Sequence, residues 1–285
     1  MRITSLKSRE EEKTMFDLFR MELFKLRKHK LTWGAAIVCF VVTFVLPLIG
    51  KLFADILYNI VKDSGEAQAV AEAKNLVDAF NSPLEFSSLL KMPFGGISLV
   101  LILVFVSASS FLFLDIGGGY IKNIAGQIPS RGHSCYGKYA VVCLQGLLCM
   151  LSAFLGGVIG TLIVRGISFD SDIPAGILEF ALKWLILCGI DAVLLLFTTG
   201  LGNKVLGIVM AVIFGTGALG MIYMPLSFGI RALFRLEDFE LGGYMPDQMI
   251  SASPMNVWAS LIGGAVMICV FLPLTVMLLN KRDVK

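Results

Sequence analysis

The sequence predicts an all-α, multi-pass membrane protein, and three observations carry that prediction. Of 285 residues, 56% are hydrophobic and only 16% charged, with a mean hydropathy of +0.82, more apolar surface than a soluble domain can bury. The apolar residues gather in six long runs, at about 31 to 50, 94 to 114, 139 to 164, 178 to 199, 205 to 226 and 257 to 279. Each matches the roughly 20 residues that a helix needs to cross about 30 Å of hydrocarbon. The runs are continuous, whereas barrel strands would be about ten residues long and alternate in polarity.

The first thirty residues are charged and show no apolar core followed by a small-residue cleavage site, so no signal peptide is expected. With the N-terminus inside, Lys and Arg divide sixteen on the cytoplasmic side against eight outside. By the positive-inside rule, both termini are expected in the cytoplasm. The chain then reads as an N-terminal cytoplasmic segment, 1–30, followed by a single six-span domain, 31–285.

Within the first segment, "FDLFRMELFKLRKHK" repeats Phe16, Phe19, Leu23 and Leu26 at helical spacing, with Asp17, Lys25 and Lys28 directed elsewhere and Glu22 interrupting the apolar face. An amphipathic helix this rich in Lys and Arg is expected to lie in the membrane interface beside anionic headgroups. It serves either as a topological anchor alone or as an elbow helix that also frames a docking surface.

The outside segment 51–91 contains "EAQAVAEAKNLVDAF", a run of good helix formers that stops at "NSP", so a short helix is expected there. It is a plain connector or the lip of an exit. The fifth run stays apolar past the thickness of a bilayer and is interrupted by Pro225, Gly229, Arg231 and Arg235. A span ending near Pro225, followed by a short interfacial or re-entrant helix, is the expected arrangement. The last span restarts at "SASPMNVW", with Trp258 at interfacial depth.

Few residues offer covalent chemistry. The six cysteines, at 39, 135, 143, 149, 188 and 269, fit no metal or redox spacing and read as packing residues. His29 and His133 both lie outside the runs, which disfavours haem, intramembrane zinc or a serine-histidine dyad. Asp191, in "WLILCGIDAVLLLF", is the single ionisable residue near the middle of a span. A carboxylate there is shielded by other helices, protonated or in contact with water, and marks either a helix interface or a substrate or proton pathway. Gln145, on the preceding span, is its conceivable partner.

The most informative loop is "FLFLDIGGGYIKNIAGQIPSRGHSCYGK", residues 111–138. Its glycines suggest a phosphate-gripping loop, but that motif needs G-x-x-x-x-G-K-[ST] between a strand and a helix. Neither the spacing nor the flanks fit, so no nucleotide site is expected in this chain. What remains is a short helix candidate, "YIKNIAGQI", between Gly117–Gly119 and Pro129.

Together with "ELFKLRKHK" before the first span, this loop resembles the type 2 permeases of ATP-binding-cassette exporters. It is most similar to compact six-span members that export, or give immunity to, peptide antibiotics and amphipathic peptide toxins. The resemblance rests on Asp115 at the end of the second span, on Gly119, Lys122 and Asn123, on Arg131 and Lys138 before the third span, and on Glu22 and Lys25. It implies that residues 119–128 form a cytoplasmic coupling helix seated on a separate ATPase. Gly119, Tyr120, Lys122, Asn123, Gln127 and Arg131 would make that contact, helped by Glu22 and Lys25 of the elbow helix. The same resemblance implies two ATPase subunits, a second copy of this chain or a related permease, and a bacterial cell membrane. ATP and Mg would be held by the partner ATPase, with no cofactor or metal on this chain, no enzyme activity of its own and no nucleic acid. Sparse intramembrane charge suits a hydrophobic or amphipathic peptide as cargo, with lipids or lipid-linked polymers next. Rival expectations are a secondary transporter or channel using Asp191, and a membrane scaffold or sensor subunit.

Overall fold

A computed structural model describes residues 16–62, 67–94, 98–117, 131–234, 244–251 and 255–281. The described chain is almost entirely helical. Helix α1 covers 16–28 and breaks at His29, from which α2 (Lys30–Val61) continues. Next come α3 (Ala67–Asn81), β1 (Leu84–Glu85), α4 (Phe86–Lys91), α5 (Ser98–Gly117) and α6 (Arg131–Val164). They are followed by β2 (Ile167–Ser168), α7 (Ile173–Leu195, extended by a π-helical turn over Leu196–Gly200), α8 (Lys204–Thr216) and α9 (Gly220–Phe234). The short α10 (Pro246–Met249) and the final α11 (Val257–Lys281) complete the chain.

Four of these helices are long and apolar enough to cross a bilayer: α2, α6, α7 with its π turn, and α11. Helices α8 and α9 make a fifth crossing if taken together, although they meet at a bend of 60°. In the second run the apolar helix is shorter, Ser98–Leu114 within α5.

Local chemistry explains several boundaries. Helix α3 occupies the expected stretch and stops before Pro83, whose ring excludes the helical conformation at the residue before it. The Asn203 side chain caps α8 by accepting from the Val205 and Leu206 amides at 3.0 and 3.3 Å. Gly217 ends α8 in the left-handed region, at φ 66°. The break therefore falls eight residues before Pro225, where the sequence placed it. Pro225 instead sits inside α9, because the left-handed glycine has already turned the chain.

Helix α7 is the axis of the bundle. In its most apolar stretch 72% of the residues are buried, against 17% in α2 and 22% in α11. Helices α2 and α6 run parallel and meet at small residues four apart. A Cβ on Gly156 would lie 2.3 Å from the Phe40 carbonyl oxygen, and one on Gly160 would lie 2.3 Å from that of Phe44. This small-xxx-small spacing lets the backbones touch, and close van der Waals packing is what joins helices in lipid. The Thr43 hydroxyl reinforces the contact by donating to the Ala153 carbonyl at 2.7 Å.

An unexpected element closes one end. Strands β1 and β2 form a two-residue parallel pair, Leu84 with Ile167 and Glu85 with Ser168. The pair ties the segment after α3 to the α6–α7 connection, and α4 then docks against the start of α7.

Candidate functional site

Two groups of buried polar side chains stand out: a row along α7, and a cluster where α1 meets α6.

The row begins with Glu179 and Lys183, one helical turn apart, both buried in α7. Glu preceding Lys by four residues is the favourable orientation for a helical ion pair. The Lys183 ammonium donates a hydrogen bond to the Lys91 carbonyl, at the C-terminal end of α4. The last carbonyls of any helix lack intrahelical partners, and a cation is a natural cap for them. Charge tallies placed Lys183 among outer-loop residues, yet it lies ten residues into α7. Without it the expected outer count falls from eight to seven.

The rest of α4 is held by polar contacts as well. The Ser87 amide donates to Asp170 Oδ1 at 3.2 Å, and Lys91 lies 3.8 Å from Asp172. Hydrogen bonding from Ser87 holds the Asp170 carboxyl below the usual carboxylate range. Leu90 packs where Gly176 leaves room, 3.1 Å from the position a Cβ there would take. A six-residue helix is thus clasped at both ends onto α7.

Further along the row, Asp191 is 1% exposed, and neither carboxylate oxygen has a hydrogen-bond partner among the described residues. A Cβ on Gly146 of α6 would stand 2.1 Å from Leu187 Cδ2 and 3.6 Å from Asp191 Oδ2, so this glycine makes room for Leu187, with the carboxylate next to it. Gln145 donates instead to the Ser107 hydroxyl of α5, at 2.5 Å, and leaves its own carbonyl oxygen without a partner. Two aromatic donors stitch α6 to α7 around this point: Tyr139 to the Cys188 carbonyl and Trp184 to the Cys143 carbonyl, both at 3.0 Å. The π turn follows, with the Thr198 hydroxyl donating to Leu194 O at 2.6 Å. Orphaned acceptors can take a proton, a water or a cation. Among the described residues no three His, Cys, Asp or Glu side chains gather as a metal-binding set.

At the other site, the inward face of α1 is Leu18, Glu22 and Leu26. The expected face had been Phe16, Phe19, Leu23 and Leu26, with Glu22 as an interruption. Glu22 faces inward because Lys25 pairs with it at 2.8 Å, and a paired charge tolerates burial where a lone one does not. Phe16, Leu23 and Phe24 are exposed instead. Helix α1 stays against α6: Leu18 and Phe19 approach Gly137, and Lys138 beside it is buried. His29, between α1 and α2, sets its ring 5.7 Å from Phe111 in an edge contact and shares a 2.9 Å hydrogen bond with Thr32. Burial lowers the His29 pKa from 6.5.

Of the other residues singled out in the sequence, Gly119, Tyr120, Lys122, Asn123 and Gln127 lie outside the described residues, in 118–130. Arg131 opens α6, and Asp115 lies in the last turn of α5. A further buried acid, Asp247 in α10, has no hydrogen-bond partner among the described residues, and burial pushes its carboxyl above the usual range. It lies beside Gly217 at the α8–α9 bend. Sequence reasoning missed Lys183, Glu179 and Asp247, and the Glu-Lys spacing of four was the signal for the first two. No known protein family, no curated protein and no solved structure matches this chain.

Proposed function

We propose that the chain is the membrane-spanning permease subunit of an ATP-driven exporter, with six crossings, an N-terminal elbow helix and a re-entrant segment after the fifth crossing. The observation that carries this reading is the frame around residues 118–130. Helix α5 ends at Gly117, the 34-residue α6 begins at Arg131, and α1 packs against α6 at Gly137. In sequence the segment joins α5 to α6, and α1 packs on α6 six residues after its start. Force applied there by a partner would be passed into α5 and α6 as rigid bodies.

In this reading two copies, or this chain and a relative, bind two ATPase subunits that hold ATP and Mg. The segment 119–128 couples them, through Tyr120, Lys122, Asn123, Gln127 and Arg131, with Glu22 and Lys25 setting the pose of α1. The cargo is an amphipathic or hydrophobic peptide, and both termini are cytoplasmic. Co-purification tests the assignment: a stoichiometric partner carrying Walker motifs is expected. In liposomes, the complex should show ATPase activity stimulated by amphipathic peptides, and Lys122→Glu or Arg131→Glu should uncouple it without loss of insertion. No associated ATPase, and no stimulation across a broad peptide panel, would overturn the reading.

A second reading, an ion-coupled transporter, is favoured by the unpartnered carboxylate of Asp191 at the centre of the bundle. It predicts uptake driven by an ion gradient without any ATPase, abolished by Asp191→Asn.

A further inference from the structure

Between α1, the start of α2 and α6 lies a cleft of about 370 Å³, lined by Arg20, Leu23, Phe24, Arg27, Trp33 and Leu148 among others. The described structure does not explain this combination. Leu23, Phe24 and Trp33 are all more than 40% exposed, and their setting is apolar. Arg20 and Arg27, two turns apart on the same helix, stand at the edge of that apolar surface. Neither guanidinium forms a hydrogen bond or ion pair with a described residue. The Trp33 indole N–H is already committed to the Arg27 carbonyl at 2.9 Å, and Lys28 stacks 4.4 Å above the Phe24 ring. These contacts fix the walls. Of the acids near the cleft, Glu22 is buried and paired with Lys25, and the exposed charges of α1 are Arg20, Arg27 and Lys28 against Asp17, a net positive face.

Water would suit the arginines but not the aromatic walls, and hydrocarbon would suit the walls but not the arginines. An occupant with an anionic head and an apolar tail satisfies both. We infer that this cleft is a binding site for one acidic phospholipid of the leaflet facing the N-terminus. Its headgroup lies between Arg20 and Arg27, and an acyl chain rests on Leu23, Trp33 and Leu148. The lipid then wedges α1 against α2 and α6, so that the pose of α1 depends on the lipid as well as on the contacts at Gly137. This inference stands whether or not the chain is an exporter.

The experiment uses the full chain in bilayers of equal phosphatidylglycerol and phosphatidylcholine, released into the gas phase for native mass spectrometry. One phosphatidylglycerol per chain should be retained. Arg20→Gln with Arg27→Gln should lower that retention about 25-fold, at about fivefold per basic side chain near a charged membrane surface. Leu148→Trp, which fills the cleft and keeps both arginines, should lower it comparably, and Leu23→Trp does the same from the α1 side if Leu148→Trp fails to fold. Equal retention of phosphatidylcholine would overturn the inference, as would retention unchanged in either class of variant. Loss in the arginine variant alone would mean diffuse attraction without a site and would overturn it too.

Discussion

Helices α2 and α7 are nearly equal in hydropathy, 2.4 and 2.2 over their most apolar stretches, yet 17% of one and 72% of the other is buried. The difference lies in where each helix carries its three ionisable residues: Lys30, Lys51 and Asp55 of α2 lie outside its apolar run, whereas those of α7 lie within it. Helix α7 holds Glu179, Lys183 and Asp191, all buried. Helix α2 turns Ile37, Val41, Ile49, Phe53 and Ile56 outward. A polar or charged side chain is expensive against lipid, so the helix that bears several must be surrounded by protein. The aliphatic helix can face lipid and needs only one seam of close approach, which Gly156 and Gly160 provide on α6. Mean hydropathy does not separate these two roles, whereas the number of ionisable residues within the run does.

Four experiments would break or sharpen that contrast. The largest effect is expected for Lys183→Met, which uncaps the Lys91 carbonyl and leaves Glu179 without its neighbouring cation. Leaving a buried polar group unsatisfied costs about 1–3 kcal/mol, more when a charge is involved, and thermal unfolding in detergent should show it as a marked drop in Tm. An unchanged Tm would mean that α7 does not need its lysine. Next comes Gly156→Leu at the α2–α6 seam. The Phe40 carbonyl blocks even a Cβ there, so overpacking of about 1–3 kcal/mol or more is expected, together with weaker crosslinking of α2 to α6 through engineered cysteines.

The third experiment has the opposite sign. Asp191→Leu removes two orphaned acceptors, and an unsatisfied buried polar group costs about 1–3 kcal/mol, so this variant should unfold at a higher temperature than the parent. If it instead unfolds earlier, Asp191 has a partner that binds it in the bilayer. The smallest effect is a pH dependence at the α1–α2 joint. Burial lowers the His29 pKa from 6.5, so in the window between the folded value and 6.5 the unfolded chain binds more protons. Stability contributed by neutral His29 is therefore full above 6.5 and is lost as pH falls below it. A Tm-against-pH profile should lose that slope in His29→Gln.

Much of the architecture was legible because it depends on local composition. The short helix at Ala67–Asn81 was visible from its helix formers and its terminating "NSP", and four of the six runs became long unbroken helices. The fifth run was visible as irregular, but Pro225 drew attention away from Gly217. A proline announces a break by its chemistry, while a left-handed glycine is one among 29 glycines until its backbone angle is known. The candidate site was less legible. Asp191 stood out as an isolated acid in an apolar run. Lys183 did not, because a lysine near the end of a run reads as an interfacial residue when its neighbour α4 is unknown. Glu22 looked like a flaw in an apolar stripe, since pattern alone does not reveal that Lys25 folds back onto it.

The sequence by itself determined that this chain is helical and built for a bilayer, because hydrogen-bond satisfaction in hydrocarbon leaves long apolar segments no other choice. It also determined some helix ends, such as that of α3 before Pro83, although α2 continues through Pro47 to Val61, past its expected end near 50, and α6 starts at Arg131, ahead of its expected start near 139. Only the tertiary structure decided which helix stands at the centre, which face of α1 turns inward, and that Gln145 reaches Ser107 while Asp191 has no hydrogen-bond partner among the described residues. Those outcomes depend on residues tens of positions apart meeting at a few ångströms, and such contacts follow from packing geometry that no local pattern encodes.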